Sequence, residues 1–317
     1  MSSDGVIMGV ARARRHKLEL PATEEVNEPL RLDILIAPAC AHLQADDRRA
    51  LILYVLDPEP SLFAAACVHI YAGSGYYANA PADSPEARYG RVHIVGVGHS
   101  REAFSADANG WDAASLRYLR RRDFPICNHP SVLAGRGPNL HAQRLAAAFS
   151  TTIFPFAEAH LGISDGDGVS RALLGASYTS VLALQVLLAS PAATDAFILG
   201  SPSVPFDPVI LDTLRAAPAP QSPSKAPSAF IAYGELERES PPPPPSSDGE
   251  PARLTSRLAN VHYGIPDAAH ELARVLGDGG ISCDGPHAIQ GEDHTSLKLA
   301  LVSRGVAWLV NARWVGR

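Results

Sequence analysis

Long apolar runs are missing from this chain. No stretch of ~18 consecutive apolar residues occurs, so no membrane-spanning helix is expected. Cysteine is scarce as well, with four in 317 residues. Cys40, Cys67, Cys127 and Cys283 are scattered and form no C-x-x-C pair. That spacing argues against a disulfide framework or a cysteine-rich metal site, and for reduced thiols in a cytoplasmic protein. Basic excess is also absent: 27 Lys and Arg stand against 33 Asp and Glu, for a net charge of −6. Generic binding to nucleic acid or to an anionic membrane is therefore not expected. Arg12, Arg14, Arg15 and Lys17 cluster near the start, but no apolar core follows as in a secretory signal. There is no H-E-x-x-H and no P-loop. Gly73-Ser-Gly75-Tyr-Tyr lacks the third glycine of a dinucleotide fingerprint. No metal and no cofactor is expected.

What is present is an alternation. Apolar runs with strand character cover 30–36, 50–56, 91–97, 171–176, 195–200, 229–234 and, more weakly, 281–289. Several are apolar at nearly every position, as strands buried on both faces must be. Helical periodicity covers 61–71, 140–161, 178–188, 208–216, 267–276 and 296–310. Strands alternating with helices imply right-handed crossovers and a mostly parallel sheet between two helical layers. The expected fold is thus a three-layer α/β/α sandwich, a single domain over 1–317. An N-terminal extension is expected over 1–27. Residues 72–86 read as a loop, and 240–251 as a proline-rich loop, because Pro241–Pro245 can join neither a helix nor a sheet interior.

The most informative segment is Leu173-Leu-Gly-Ala-Ser177-Tyr-Thr-Ser-Val. An apolar strand enters a turn of small residues and an apolar helix leaves it. A serine at such a tight turn stands clear of the backbone, which is the arrangement a nucleophilic serine needs. The match to G-x-S-x-G is incomplete, since Thr179 occupies the last glycine position. The amide of Tyr178, directly after the nucleophile, is a candidate oxyanion donor. Serine needs an imidazole to take its proton, and the imidazole needs a carboxylate to orient it. Downstream, the strand 229–234 ends in Glu235-Leu-Glu237. Glu237 is favoured by its spacing from Gly234; Glu235, Glu239 and Asp57 remain alternatives. His294, in Gly291-Glu-Asp-His294-Thr-Ser, sits on a loop before the last helix and is the candidate base. His287 is its local competitor, while His262 and His270 read as surface or packing residues.

These segments resemble the putative esterase family of α/β-hydrolases, the esterase D type that includes enterobactin and other siderophore esterases. The resemblance runs through Leu51-Ile-Leu-Tyr-Val-Leu-Asp57, Val95-Gly-Val-Gly98, Tyr118–Pro125, Gly175–Ser180, Leu199-Gly-Ser-Pro-Ser203, Tyr233–Glu237 and Gly291–Ser296. It implies an α/β-hydrolase fold and a serine carboxylester hydrolase acting on a small-molecule ester, such as a siderophore ester, through Ser177, His294 and Glu237. It also implies an oxyanion donor from the turn after the strand at 50–56. Pro58 stands there in place of glycine and has no N–H, so Glu59 is the expected donor. Pro58 and Thr179 motivate the competing reading, a weak or inactive hydrolase-fold protein with a binding or assembly role.

Overall fold

The computed structural model describes residues 13–24, 26–40, 50–56, 60–81, 84–100, 140–163, 168–219, 226–237 and 264–311. Its frame is an eight-stranded sheet in the order β1-β2-β4-β3-β5-β6-β7-β8. The strands are β1 (Arg14–Leu20), β2 (Leu30–Ala37), β3 (Ala50–Leu56), β4 (Val92–His99), β5 (Val169–Ala176), β6 (Ala196–Gly200), β7 (Ser228–Gly234) and β8 (Ser282–Ile289). β1 and β2 pair antiparallel, as do β2 and β4. Every pairing from β4 through β3 to β8 is parallel.

Side chains on a strand alternate between faces, and here both faces are covered. Ile52, Tyr54 and Leu56 of β3 enter one core, while Leu51, Leu53 and Val55 enter the other. The near-continuous apolar runs of the central strands follow from that. The first core is closed by α2 (Leu140–Ala148), α3 (Phe154–Leu161), α4 (Tyr178–Ala189), α5 (Pro208–Ala216) and α6 (Ile265–Asp278). The second is closed by α1 (Pro60–Tyr76) and α7 (Leu297–Asn311). Each Leu or Ile so buried contributes roughly 1.5–3 kcal/mol. The three-layer α/β/α architecture expected from the alternation is the observed one.

Three expectations are corrected. Residues 1–27 are not all an extension: Arg14–Leu20 is the edge strand β1, paired over its whole length with β2. The Arg144 guanidinium on α2 also donates to the Leu20 carbonyl at 2.6 Å. Residues 72–76, read as loop, continue α1. Gly73 lets Tyr89 pack against this last stretch of the helix, because a Cβ there would lie 2.5 Å from the Tyr89 ring. The long helix over 140–161 is interrupted by a π turn at Phe149–Ile153. The proline-rich loop 240–251, Cys127 and the segment Tyr118–Pro125 lie outside the described residues.

Candidate active site

Parallel strands deliver their carboxyl ends to one edge of the sheet, where open α/β folds bind ligands. Ser177 lies there, between β5 and α4. Its backbone has φ 61° and ψ −120°, a conformation costly for a residue with a Cβ, by about 1–3 kcal/mol. Close packing holds it. The Ser177 N–H donates to the Gly200 carbonyl at 2.7 Å, and the Ser203 N–H donates to the Ser177 carbonyl at 3.3 Å. Gly175 lets strand and helix meet, since a Cβ there would come within 2.4 Å of the Thr179 carbonyl oxygen. Thr179 is accommodated by its own hydroxyl, which accepts from the Ala176 N–H at 2.8 Å and donates to the Ala176 carbonyl at 2.9 Å.

The histidine loop approaches from between β8 and α7. His294 Nε2 lies 3.0 Å from Ser177 Oγ, and Nδ1 lies 3.3 Å from Glu237 Oε2. A carboxylate only accepts, so Nδ1 carries the proton and Nε2 is left to accept from Ser177. His294 is largely shielded, and the Glu237 side chain is 1% exposed. A carboxylate that deep needs several donors. Glu237 has the Gly234 N–H at 2.9 Å and the Ser201 hydroxyl on Oε1, besides the imidazole on Oε2. The turn Glu235–Glu237 and the histidine loop are joined by the Leu236 N–H, which donates to the Glu292 carbonyl at 3.0 Å. This approach requires glycine at 234, where a Cβ would sit 2.5 Å from that carbonyl oxygen.

The other candidates fall elsewhere. Glu235 turns to the surface and accepts from the Gly291 N–H at 3.0 Å. His287 pairs with Asp284 at 2.8 Å on β8. His270 packs edge-on against Tyr233. Asp57, Pro58, Glu59, Glu239 and His262 lie outside the described residues. Tyr178 opens α4, so its amide belongs to the first turn of that helix. With Ala176, Ser177, Thr179, His294, Thr295 and Lys298 it lines a cleft of about 200 Å³. Two contacts were not anticipated: Ser201 against Glu237, and Ser203, whose Oγ lies 3.0 Å from Ser177 Oγ. The segment Ser201-Pro-Ser203 was conspicuous as a motif, but its role depends on which strands flank β6.

No family model matches the chain. The resemblance to siderophore esterases is nonetheless borne out. Over 144 residues the chain is 31% identical to the siderophore triacetylfusarinine C esterase of Aspergillus fumigatus. That alignment covers 43% of this chain and 47% of the relative, so the chain matches about half the relative's length. Similar folds occur in siderophore hydrolase EstB of Aspergillus nidulans, at 20% identity, 97% coverage of each chain and a TM-score of 0.66. EstA of the same organism gives 19% identity, 98% coverage of each chain and a TM-score of 0.63. The BES protein of Bacillus cereus gives 16% identity, 98% coverage of this chain, 99% of that chain and a TM-score of 0.60. At those identities the likeness establishes the fold alone, an α/β sandwich around a mostly parallel sheet. Among the described residues, no helix is long and apolar enough to cross a membrane.

Proposed function

We propose that this chain is a serine carboxylester hydrolase. The observation that carries the reading is the continuous path from Ser177 Oγ through His294 to the buried Glu237. Ser177 Oγ attacks the ester carbonyl while its proton passes to His294 Nε2. The carbonyl π pair moves onto oxygen, which the Tyr178 amide and a donor from the turn carrying Glu59 stabilise. Collapse expels the alcohol, which takes the proton back from Nε2. Water then repeats the sequence on the acyl-enzyme, returning Ser177 and releasing the acid. Glu237 holds Nδ1–H and stabilises the imidazolium formed at each attack.

The proposed substrate class is a siderophore ester or a related acyl ester. The names of the relatives support the first, and a cleft open beside the serine fits either. A reducing, cytoplasmic setting suits the scattered thiols. The test is labelling with a fluorophosphonate probe, followed by hydrolysis of a panel of short acyl and siderophore esters. Labelling of wild type and its loss in Ser177→Ala is the expected result. An unlabelled wild type would favour the competing reading, an inert hydrolase-fold protein.

A further inference from the structure

In the sheet, β6 lies between β5 and β7. β5 leads into Ser177 and β7 leads into Glu237, so the loop after β6 runs between nucleophile and acid. Its two serines reach in opposite directions. Ser201, at φ 39°, gives its hydroxyl to Glu237. Ser203, 1% exposed, lays its Oγ 3.0 Å from Ser177 Oγ. Among the described residues that is the hydrogen bond its hydroxyl makes. A buried hydroxyl is costly without a partner, and the partner here is the reacting atom itself.

The direction of that bond follows from counting protons. A serine hydroxyl has one proton and two lone pairs. In the state ready to react, the Ser177 proton points at His294 Nε2. The bond between the two serines must then be donated by Ser203. We propose that Ser203 is a further catalytic residue, whose hydroxyl donates to Ser177 Oγ before and during attack. This rests on the esterase reading above. As the Ser177 proton moves to His294, negative charge gathers on Oγ, and a donor at hydrogen-bond distance stabilises it. One Oγ lone pair accepts from Ser203 and the other forms the bond to the carbonyl carbon. Ser203 keeps its proton throughout, and no covalent bond to it forms or breaks. When His294 is protonated, Nε2–H donates to Ser177, which turns its own proton towards Ser203. The nucleophile is held in both states. Anchoring of the loop is a separate matter, because it uses the Ser203 backbone N–H on the Ser177 carbonyl. Side-chain substitutions leave that bond in place.

The experiment compares wild type, Ser203→Ala and Ser203→Cys. It measures the second-order rate of fluorophosphonate labelling, kcat and KM on an activated ester, and melting temperature. Ser203→Cys fills the site with a somewhat larger atom and leaves no cavity, but a thiol is a weak donor. Both variants are expected to label and turn over about tenfold more slowly, the loss of one hydrogen bond, with KM unchanged. If Ser203→Ala does not fold, Ser203→Cys carries the test. Wild-type rates in both variants overturn the proposal. So does a loss confined to KM, or a slow Ser203→Ala beside a fully active Ser203→Cys, which would mean packing alone. A wild type that does not label overturns the esterase reading, and the role of Ser203 falls with it.

Discussion

Two carboxylate–histidine pairs hang from the same corner of the sheet. His287 and Asp284 face each other on β8, and His294, in the loop that follows, faces Glu237. The shorter pair is the first, 2.8 Å against 3.3 Å. Distance alone therefore ranks them the wrong way for chemistry. The His287 and Asp284 side chains are 44% and 49% exposed, and the ring stacks on Phe230. The His294 and Glu237 side chains are 16% and 1% exposed, and the second imidazole nitrogen meets a serine. Water screens the first pair, so it is worth little. Excluding water strengthens the second, and under the proposed mechanism Ser177 gives its proton relay somewhere to begin.

The largest effect expected is at the histidines themselves. His294→Gln should lower kcat/KM on an activated ester by about 10⁴–10⁶-fold, as loss of a triad base does. His287→Gln should stay within about twofold of wild type, since its ring touches nothing that reacts. Steady-state kinetics on both variants checks the contrast. Equal losses would mean that the two pairs form one network.

The carboxylates come next. Glu237→Gln keeps the shape but fails to stabilise an imidazolium, and should lower kcat by about 10³–10⁴-fold with little change in KM. Asp284→Asn and Glu235→Gln should be mild, because both side chains meet solvent. A larger loss in Glu235→Gln than in Glu237→Gln would reassign the acid.

Ser201 sharpens the comparison, because the Asp284 side chain is 49% exposed and can be solvated by water instead. Ser201→Ala removes one of the donors to Glu237 Oε1, leaving the Gly234 amide. The expected cost is about 1–3 kcal/mol in folding stability, the penalty of under-satisfying a buried acceptor. A tenfold fall in kcat should accompany it. Urea unfolding and kinetics on the same preparation separate the two.

How far this corner can be read from sequence depends on how local each cue is. The elbow is local: a strand, a run of small residues and a helix sit within one stretch, so Ser177 stands out. The central strands also read clearly, being buried on both faces and apolar throughout. β1 does not, because an edge strand bearing Arg14, Arg15 and Lys17 looks like a polar tail. Its partner is set by β2 and by Arg144 far along the chain. That Glu237 and not Glu235 reaches His294 turns on a single 3₁₀ turn, which spacing suggests but does not fix. The roles of Ser201 and Ser203 were out of reach for a topological reason. Only once β6 is known to lie between β5 and β7 do the two hydroxyls acquire neighbours.

A third histidine tests the same argument with both partners removed. His93, on β4, is 8% exposed and among the described residues meets no carboxylate; its Nδ1 accepts from the Ala39 N–H at 3.1 Å. That bond requires a bare Nδ1, and burial pushes the pKa down to about 4. In the unfolded chain the value returns to roughly 6.5. As pH falls, the unfolded chain therefore takes the proton first. Stability tied to neutral His93 is fully present above about pH 6.5 and drains away as pH drops towards about 4, by at most ~3 kcal/mol. His93→Asn abolishes the titration. Denaturant unfolding of both proteins at pH 7 and at about pH 4.5 should find wild type losing roughly 2 kcal/mol more than the variant. Parallel losses would show that burial without a charged partner does not hold this imidazole neutral, and would weaken the weight placed on burial in separating His294 from His287.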